Sequence, residues 1–440
     1  MQRLRSAAAE LRTPGGRARL FAVLSLVFLV VAVAGIVTTP TQPVLTVDEE
    51  PPENNTLVAV QGYQDGGKAL EITPDGEVAW EYSEPDDVFD LELVNESTVQ
   101  VSTASTVPDS DCPEPYASDG YDGCVRNALQ HVDRGTNEVV WEYAWYDVEK
   151  HEHELHDADR YVVDGEARYA MADMGNDRVF AVDHDGTLRW EWNATDDYQM
   201  PDGMGPEGDW THVNDVDRIE PGVFQISLRN FDTVAELHVA DDGDVRVEPV
   251  VGPNEFHADD EGELYEQHNP DRLADGSLIV ADSEHDRIVE FGPDGDVVWE
   301  VGGSATFDWP RDGDRLPDGD TLVADSYNDR VVEVTPDGEV VWAVEVGNLV
   351  YEVDRVTTPA DASDGSRPAP SATQGEFSSA MTDANVVAEY LAFGIAVSKY
   401  VLPYAVAEQL YWLLGAVFSL LLAGVERYRA SSRSLSLPSR

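Results

Sequence analysis

The sequence predicts an all-β protein, a six-bladed β-propeller with N- and C-terminal transmembrane helices. A unit of short, β-alternating segments with a Pro-Asp-Gly type turn recurs through the middle of the 440-residue chain. Apolar runs of membrane-spanning length lie on both sides of that region. The acidic residues are spread evenly among the apolar strands, as in a folded domain and unlike a disordered acidic tail.

The repeated unit sets the number of blades. Its six copies end at Trp80, Trp141, Trp190, Val247, Trp299 and Trp342. Successive ends lie 61, 49, 57, 52 and 43 residues apart, which is typical of four-stranded blades. We therefore predict a propeller over residues 55–356. An Asp-Arg pair marks one more strand at Asp354-Arg355, with no repeat after it, so we expect residues 350–356 to supply the innermost strand of the first blade and close the ring.

The N-terminal segment predicts a membrane anchor. Residues 1–19 carry five arginines and one acid, and residues 20–37 are uncharged. Eighteen such residues can span a bilayer core of about 30 Å, and the arginines place residues 1–19 in the cytoplasm. A cleaved signal peptide is the rival interpretation, because Ala32-Val33-Ala34 resembles a cleavage site. The long basic segment and a second apolar segment favour the retained anchor.

The C-terminal segment predicts a return to the cytoplasm. Residues 357–385 are rich in Ser, Thr, Ala, Pro and Asp and predict a disordered stalk. Residues 386–399 are expected to form an interfacial helix or to extend the span that follows. Residues 400–424 predict a transmembrane helix and residues 425–440 a cytoplasmic tail. The propeller would then be extracytoplasmic, where three sequons could be glycosylated, at Asn54, Asn95 and Asn193.

The charge and the cysteines restrict the environment further. The formal net charge is -58 at pH 7, and only three of the 28 basic residues are lysines. Such a surface repels itself in dilute buffer, so we predict a halophilic protein, and we exclude nucleic acid as a partner. Cys112 and Cys124 are predicted to form a disulfide that contributes roughly 2 to 3 kcal/mol. Their spacing matches no zinc pattern.

Chemistry-bearing residues are expected in the central channel, which the innermost strands line. The position four residues before each Asp-Arg arginine can be compared around the ring. In blade order it holds Tyr351, Phe89, His156, Asn214, His268 and Arg311. Two aromatic residues beside two histidines, an asparagine and an arginine predict a funnel for an aryl group next to an anion. A channel that is polar only because it is wet is the alternative.

Two more residues strengthen the prediction of an anion site. His212 precedes the channel residue of its blade by two positions. Arg229 occupies a position that is Met174, Ser283 or Ser326 in other blades. An arginine there is not required by the fold, and its guanidinium suits a sulfate or phosphate oxyanion.

The run HEHELH, residues 151–156, invites a metal-site interpretation. It lacks the HExxH spacing that places two histidines on one helical face, and on a strand His151 and His153 share one face while His156 lies on the other. A substrate-side histidine is favoured over a metal site or a plain acidic loop. The Asp-rich turns, such as residues 281–287, could bind calcium, but their recurrence in the repeat favours structural turns.

Three short runs then suggest a family. His-Val-Asn at 212–214, Ser-Leu-Arg at 227–229 and Gln-His at 267–268, in this order and one blade apart, resemble the bacterial arylsulfate sulfotransferases that work without the nucleotide PAPS. The resemblance covers roughly residues 55–356. It implies that His268 is the nucleophile, which takes the sulfuryl group from an aryl sulfate as a sulfohistidine and passes it to a phenol. It implies no cofactor and no metal.

The resemblance also implies roles for the neighbouring residues. His212, Asn214, Arg229 and a histidine of the preceding blade would bind or polarise the sulfuryl and phenolic oxygens. We expect His156 in the last role, with His153 as the alternate.

The remaining channel residues, Phe89, Tyr351 and Arg311, are expected to contact the substrate. The chemistry itself requires a neutral imidazole as nucleophile and cationic or hydrogen-bonding groups around the sulfuryl oxygens. The competing hypotheses are a non-catalytic, surface-displayed propeller that binds a ligand or a protein, and a hydrolase or lyase that uses the same funnel.

Overall fold

The computed structural model describes residues 13–40, 42–118, 123–148, 153–201, 209–256, 262–356 and 378–434. The chain divides into two compact units: residues 42–390 form one, and residues 1–41 with 391–440 form the other. His151 and Glu152, residues 1–12 and 435–440 of the predicted tails, and residues 357–377 of the predicted stalk lie outside the described residues.

The larger unit is an all-β, six-bladed propeller whose strands are numbered in chain order. Blade 1 contains β25 (Val350–Arg355), β2 (Thr56–Val60), β3 (Lys68–Ile72) and β4 (Val78–Tyr82). Blade 2 contains β5 (Asp87–Asn95), β6 (Thr98–Val107), β7 (Cys124–Asp133) and β8 (Val139–Asp147). Blade 3 contains β9 (Leu155–Val163), β10 (Glu166–Asp173), β11 (Arg178–Asp183) and β12 (Leu188–Asn193).

The second half of the ring repeats this pattern with two added strands. Blade 4 contains β13 (Val213–Glu220), β14 (Val223–Leu228), β15 (Thr233–Val239) and β16 (Val245–Val251). Blade 5 contains β17 (His268–Arg272), β18 (Leu278–Asp282), β19 (Arg287–Phe291), β20 (Val297–Gly302) and β26 (Ser378–Met381). Blade 6 contains β21 (Pro310–Arg315), β22 (Thr321–Asp325), β23 (Arg330–Val334), β24 (Val340–Glu345) and β1 (Val44–Asp48).

The predicted closure of the ring is confirmed. β25 pairs antiparallel with β2, with Val353 opposite Val58. Each innermost strand also contacts the innermost strands of the two adjacent blades, so β5, β9, β13, β17, β21 and β25 form a complete ring. These strands surround the central channel.

Two outer strands extend the propeller beyond the predicted range of 55–356. Val44–Asp48 pairs antiparallel with the outer strand of blade 6, and Ser378–Met381 pairs parallel with the outer strand of blade 5. The prediction of a disordered stalk over residues 357–385 therefore differs from the structure at residues 378–381. Both added strands cover sheet edges that would otherwise present unpaired backbone groups.

The repeat residues bind each blade to the next. The indole Nε1 of Trp299 donates to the carbonyl oxygen of Pro336 at 2.9 Å, and Trp342 donates to Pro74 in the same way. The arginine of an Asp-Arg pair also contacts the preceding blade. Arg315 forms an ion pair with Glu290 at 2.7 Å and lies 4.2 Å over the ring of Trp299. The Trp-ended and Asp-Arg motifs are therefore inter-blade contacts.

The Asp-rich turns are held by their own side chains. Asp282 accepts hydrogen bonds from Arg287 Nε and His285 Nδ1, both at 2.7 Å. Asp286 has a φ of 54° and accepts the backbone N–H of Trp309, in the next blade, at 2.9 Å. These contacts support the interpretation of the motif as a structural turn. The predicted disulfide between Cys112 and Cys124 is confirmed, with the two Cα atoms 6.0 Å apart.

The described helices are α1 (Pro14–Thr38), α2 (Val386–Lys399), α3 (Tyr404–Ala407) and α4 (Leu410–Ser434). By length and composition, α1 and α4 could cross a membrane. They pack antiparallel, since Arg17 near the start of α1 forms an ion pair with Glu426 near the end of α4 at 2.8 Å. The predicted 400–424 run is divided in the structure: Pro403 precedes the short α3, and the long C-terminal helix begins at Leu410 and ends at Ser434.

Candidate active site

The six channel residues compared in the sequence come together in the structure. Each is buried on an innermost strand. Tyr351 is the common neighbour, because its ring centroid lies 5.5 Å from that of His156 and 6.0 Å from that of His268. Phe89 contacts the edge of the same ring at 5.3 Å, and the guanidinium of Arg311 lies 4.3 Å above it.

Tyr351 and Phe89 hold His156. Phe89 stacks on the imidazole with centroids 4.7 Å apart, and the Tyr351 hydroxyl is 2.9 Å from His156 Nδ1. Burial raises the pKa of Tyr351 well above its ordinary value and lowers the pKa of His156 to about 4. The Tyr351 hydroxyl and His156 Nδ1 share this hydrogen bond, and the other ring nitrogen, Nε2, faces Glu154 Oε2 at 3.6 Å. Phe89 and Tyr351 were predicted to contact the substrate. In the structure both pack against the imidazole of His156.

His268 is held as a neutral imidazole with one defined tautomer. Its Nδ1 lies 2.8 Å from Ser283 Oγ, and that hydroxyl donates its own hydrogen to the carbonyl oxygen of Pro310 at 2.7 Å. Ser283 must then accept from His268, so the imidazole proton lies on Nδ1 and Nε2 carries the lone pair. Burial lowers the pKa of His268 well below its ordinary value. The positive charges of Arg229 and Arg311 lower the same pKa further, by less than burial does.

Arg311 is bound through neutral acceptors. Its Nε donates to Ser326 Oγ at 3.0 Å and its Nη1 donates to Gln61 Oε1 at 2.5 Å. Ser326 donates onward to the carbonyl oxygen of Val350 at 2.6 Å, which repeats in blade 6 the Ser283 arrangement of blade 5. No described hydrogen bond of Arg311 ends on a carboxylate, so its positive charge remains available to the channel.

His212 forms a pair with an acid that the sequence comparison did not select. Its Nδ1 is hydrogen-bonded to Asp209 Oδ2, and its ring lies edge-to-face against His156 at 5.1 Å. Burial raises the pKa of Asp209 to about 7, while burial followed by the charge of Arg229 lowers the pKa of His212 well below its ordinary value. The pair is therefore suited to holding and exchanging one proton near neutral pH.

Arg229 begins the turn that follows β14 and forms an ion pair with Glu266. Its Nε is buried and has no hydrogen-bond partner among the described residues. The carboxylate of Glu266 thus engages one edge of the guanidinium group. The positive charge of Arg229 also lowers the pKa of both His212 and His268.

Asn214 supports the backbone beside the candidate nucleophile. Its Nδ2 donates to the carbonyl oxygen of Gln267, the residue before His268, at 3.0 Å. Its Oδ1 is buried and, within the described part of the chain, has no hydrogen-bond partner. An unpaired acceptor of this kind suits the hydroxyl of a phenol better than a sulfuryl oxygen.

His153, the alternate for His156, is also buried. Its carbonyl oxygen accepts a hydrogen bond from Asn127 Nδ2 at 2.8 Å. Gly175 lies directly against it, since a Cβ at that position would come within 2.3 Å of the His153 Cα. Among the two candidates, His156 is the one in contact with Tyr351 and His212.

A second ring of residues, two positions before the first, was missed by the sequence comparison. In blade order it is Leu349, Asp87, Glu154, His212, Glu266 and Trp309. Four of its members, Leu349, His212, Glu266 and Trp309, have a positive φ. Of this ring, the sequence pattern singles out His212 alone. Extending that offset around the repeat would have found Glu266 and Trp309 as well.

Trp309 is an aromatic wall beside the candidate nucleophile. Its ring lies edge-to-face against His268 at 5.3 Å and stacks on Tyr327 at 4.6 Å. Its Nε1 donates to Glu284 at 3.0 Å. Unlike Phe89 and Tyr351, both Trp309 and Tyr327 remain partly exposed, so they offer a surface to an aromatic ligand.

Comparisons with known proteins bear on the fold alone. No family model matches the chain, and no curated protein matches it. A protein of unknown function from Bacteroides caccae is 14% identical, with a TM-score of 0.47, over 70% of this chain and 100% of its own. A virginiamycin B lyase from Staphylococcus aureus is 9% identical, with a TM-score of 0.36, over 68% and 87% of the two chains.

A third solved structure gives the same level of similarity. An auxiliary nutrient binding protein from Bacteroides thetaiotaomicron is 12% identical, with a TM-score of 0.41, over 64% of this chain and 65% of its own. None of the three is described as an arylsulfate sulfotransferase, and a function has to be argued from the residues of the channel.

Proposed function

We propose that this chain transfers sulfuryl groups from an aryl sulfate to a phenol through a sulfohistidine at His268, without PAPS. The observation that carries the proposal is the tautomer of His268. Because Nδ1 donates to Ser283, the lone pair of Nε2 is free to attack, and burial beside Arg229 and Arg311 keeps the imidazole neutral.

In the first half-reaction, Nε2 of His268 attacks the sulfur atom and an N–S bond forms. The S–O bond to the aryl group breaks, and the phenolate leaves with the electron pair. Arg229, held at one edge by Glu266, stabilises the negative charge on the sulfuryl oxygens. The His212–Asp209 pair supplies a proton to the departing phenolate.

The second half-reaction reverses these steps with another phenol. The His212–Asp209 pair takes the proton of the acceptor hydroxyl, whose oxygen attacks the sulfur atom. The N–S bond breaks and its electron pair returns to Nε2, which restores the neutral imidazole. The aryl groups of donor and acceptor would lie on Trp309, the partly exposed ring beside His268.

A membrane anchor and an extracytoplasmic location complete the proposal. Because α1 and α4 are antiparallel, the start of α1 lies beside the end of α4. If both helices span a membrane, the two termini of the chain are on the same side of it. The arginines of residues 1–19 favour the cytoplasm for that side.

The test uses the full chain in detergent and molar KCl. The wild type and His268→Ala are incubated with 4-nitrophenyl sulfate, first alone and then with added phenol, and followed by intact mass and nitrophenol release. His238→Ala, which removes a half-exposed histidine of blade 4, is the control. We expect a mass increase of one SO3 group on the wild type and the control only, and its loss when phenol is added.

The alternatives give different results in the same experiment. Nitrophenol release that continues without an acceptor would indicate a hydrolase. Neither adduct nor release, in a protein whose folding is verified by circular dichroism, would indicate a binding propeller.

A further inference from the structure

A ring of acids lies directly next to the ring of channel residues. One position further along each innermost strand, the residues are Glu352, Asp90, Asp157, Asp215, Asn269 and Asp312. Five of the six are carboxylates, and each comes from a different blade. Neither the catalytic proposal nor the inter-blade motifs use this ring.

Three of these carboxylates converge on one point. One oxygen atom each from Asp90, Asp157 and Glu352 lies within 4.8 Å of the other two. In a calcium site the oxygens lie about 2.3–2.6 Å from the ion, so two ligands on opposite sides of it are about 4.8 Å apart. The three oxygens therefore fit within one coordination shell.

A fourth acid of the ring lacks the partner that its burial demands. Asp215 is 5% exposed, and its Oδ2 has no hydrogen-bond partner among the residues the structure describes. Asp157 of the cluster accepts the N–H of Val216, the residue that follows Asp215, so Asp215 lies beside the same cluster. Burying such a carboxylate without a partner is costly, and a cation would remove that cost.

The positions of these acids are set by backbone contacts between blades. Asp157 Oδ2 accepts the N–H of Val216 at 2.7 Å, and Asp312 Oδ2 accepts the N–H of Val353 at 2.8 Å. Asp157 and Asp312 are therefore held in place by adjacent innermost strands before any ion arrives. A rigid group of hard oxygen donors selects a hard cation.

We propose that the channel binds one Ca²⁺ ion through Asp90, Asp157 and Glu352, with Asp215 as a fourth ligand. The site joins blades 1 to 4, and blade 1 is the one that closes the ring. The ion would neutralise acids that otherwise repel one another and would stabilise the closed propeller. This inference does not rest on the proposed sulfuryl transfer.

The test measures calcium bound to the full chain in detergent. The protein is treated with EDTA and equilibrated by dialysis with micromolar Ca²⁺ in 2 M KCl, which screens weak binding to the acidic surface. We expect one Ca²⁺ per wild-type chain and at least a tenfold loss of affinity in the double variant Asp157→Asn, Glu352→Gln. The control, Asp318→Asn with Asp320→Asn, removes the same charge from a more exposed acidic group and should bind like the wild type.

A second measurement needs no variant. The melting temperature of the EDTA-treated wild type should rise on adding Ca²⁺ and rise less with equal Mg²⁺, which demands a stricter octahedral geometry. Absence of stoichiometric Ca²⁺ in the wild type, or equal loss in both double variants, would overturn the proposal. So would a channel double variant that melts higher than the wild type in Ca²⁺, because the acids would then be sharing protons and not an ion.

Discussion

His268 Nδ1 donates a hydrogen bond to Ser283 Oγ at 2.8 Å, and Ser283 Oγ donates to the carbonyl oxygen of Pro310 in the next blade. A serine in the turn after the neighbouring strand β18 thus decides which nitrogen of the candidate nucleophile carries the lone pair. The same arrangement recurs between Arg311 and Ser326. The serine is at the same repeat position in both blades. It holds His268 in blade 5 and Arg311 in blade 6.

Ser283→Ala should slow sulfuryl transfer at least about tenfold, because the tautomer with a free Nε2 loses its support. The loss should appear in kcat, with KM for the aryl sulfate little changed. Ser326→Ala removes a comparable buried hydrogen bond from blade 6, so it controls for stability. Equal effects of the two variants on kcat would contradict a specific role for Ser283.

Arg229→Gln should reduce kcat/KM about 100-fold, as expected when a charged group at the sulfuryl oxygens is lost. The charge of Arg229 also lowers the pKa of His268, so its removal should raise that pKa and move the acidic limb of the pH–rate profile toward neutral pH. Arg229→Lys keeps the charge but loses the fork, and we expect it to lower the rate while leaving the acidic limb in place. An unmoved limb in Arg229→Gln would exclude this electrostatic effect.

Trp309→Ala should raise KM for an aryl sulfate about tenfold and change kcat less, because the partly exposed ring offers aromatic surface beside the nucleophile. Trp309→Phe should restore most of the affinity. Trp141, which stacks on Tyr169 at 4.4 Å in blades 2 and 3, provides the control variant Trp141→Ala. A larger effect on kcat than on KM would instead assign Trp309 to the positioning of His268.

His156 should make the fold sensitive to acid. Burial lowers its pKa from 6.5 to about 4, so the unfolded chain binds the proton more tightly than the folded one. The stability that depends on neutral His156 is present above pH 6.5 and is lost as the pH falls toward 4, by roughly 3 kcal/mol. The free energy of unfolding of His156→Asn should therefore fall less than that of the wild type between pH 7 and pH 4.5, and His238→Asn should behave as the wild type does.

The folded chain should require concentrated salt. With a formal net charge of -58, the carboxylates repel one another in dilute buffer and are screened in molar KCl. Circular dichroism should show loss of the β-sheet signal as KCl is lowered from about 3 M to 0.1 M, where the Debye length grows to about 10 Å. A melting temperature independent of KCl over this range would contradict the prediction of a halophilic protein.

The blade count, the closure by residues 350–356 and the six channel residues all followed from the sequence alone. Each depends on chemistry that repeats locally, such as a Pro-Asp-Gly turn, a Trp-ended strand or an Asp-Arg pair. Because equivalent positions of equivalent strands face the same way, aligning the repeat was enough to bring His156 and His268 into one channel.

Only the tertiary structure decided the state and the partners of those residues. The tautomer of His268 depends on Ser283, in the turn after β18, and on Pro310, at the start of β21. The ion pair of Arg229 depends on Glu266 in the next blade. The outer strand Val44–Asp48 pairs with residues near 345, far away in sequence. Such contacts carry no periodic signal, because they are set by where separate blades place their edges and side chains once the ring has closed.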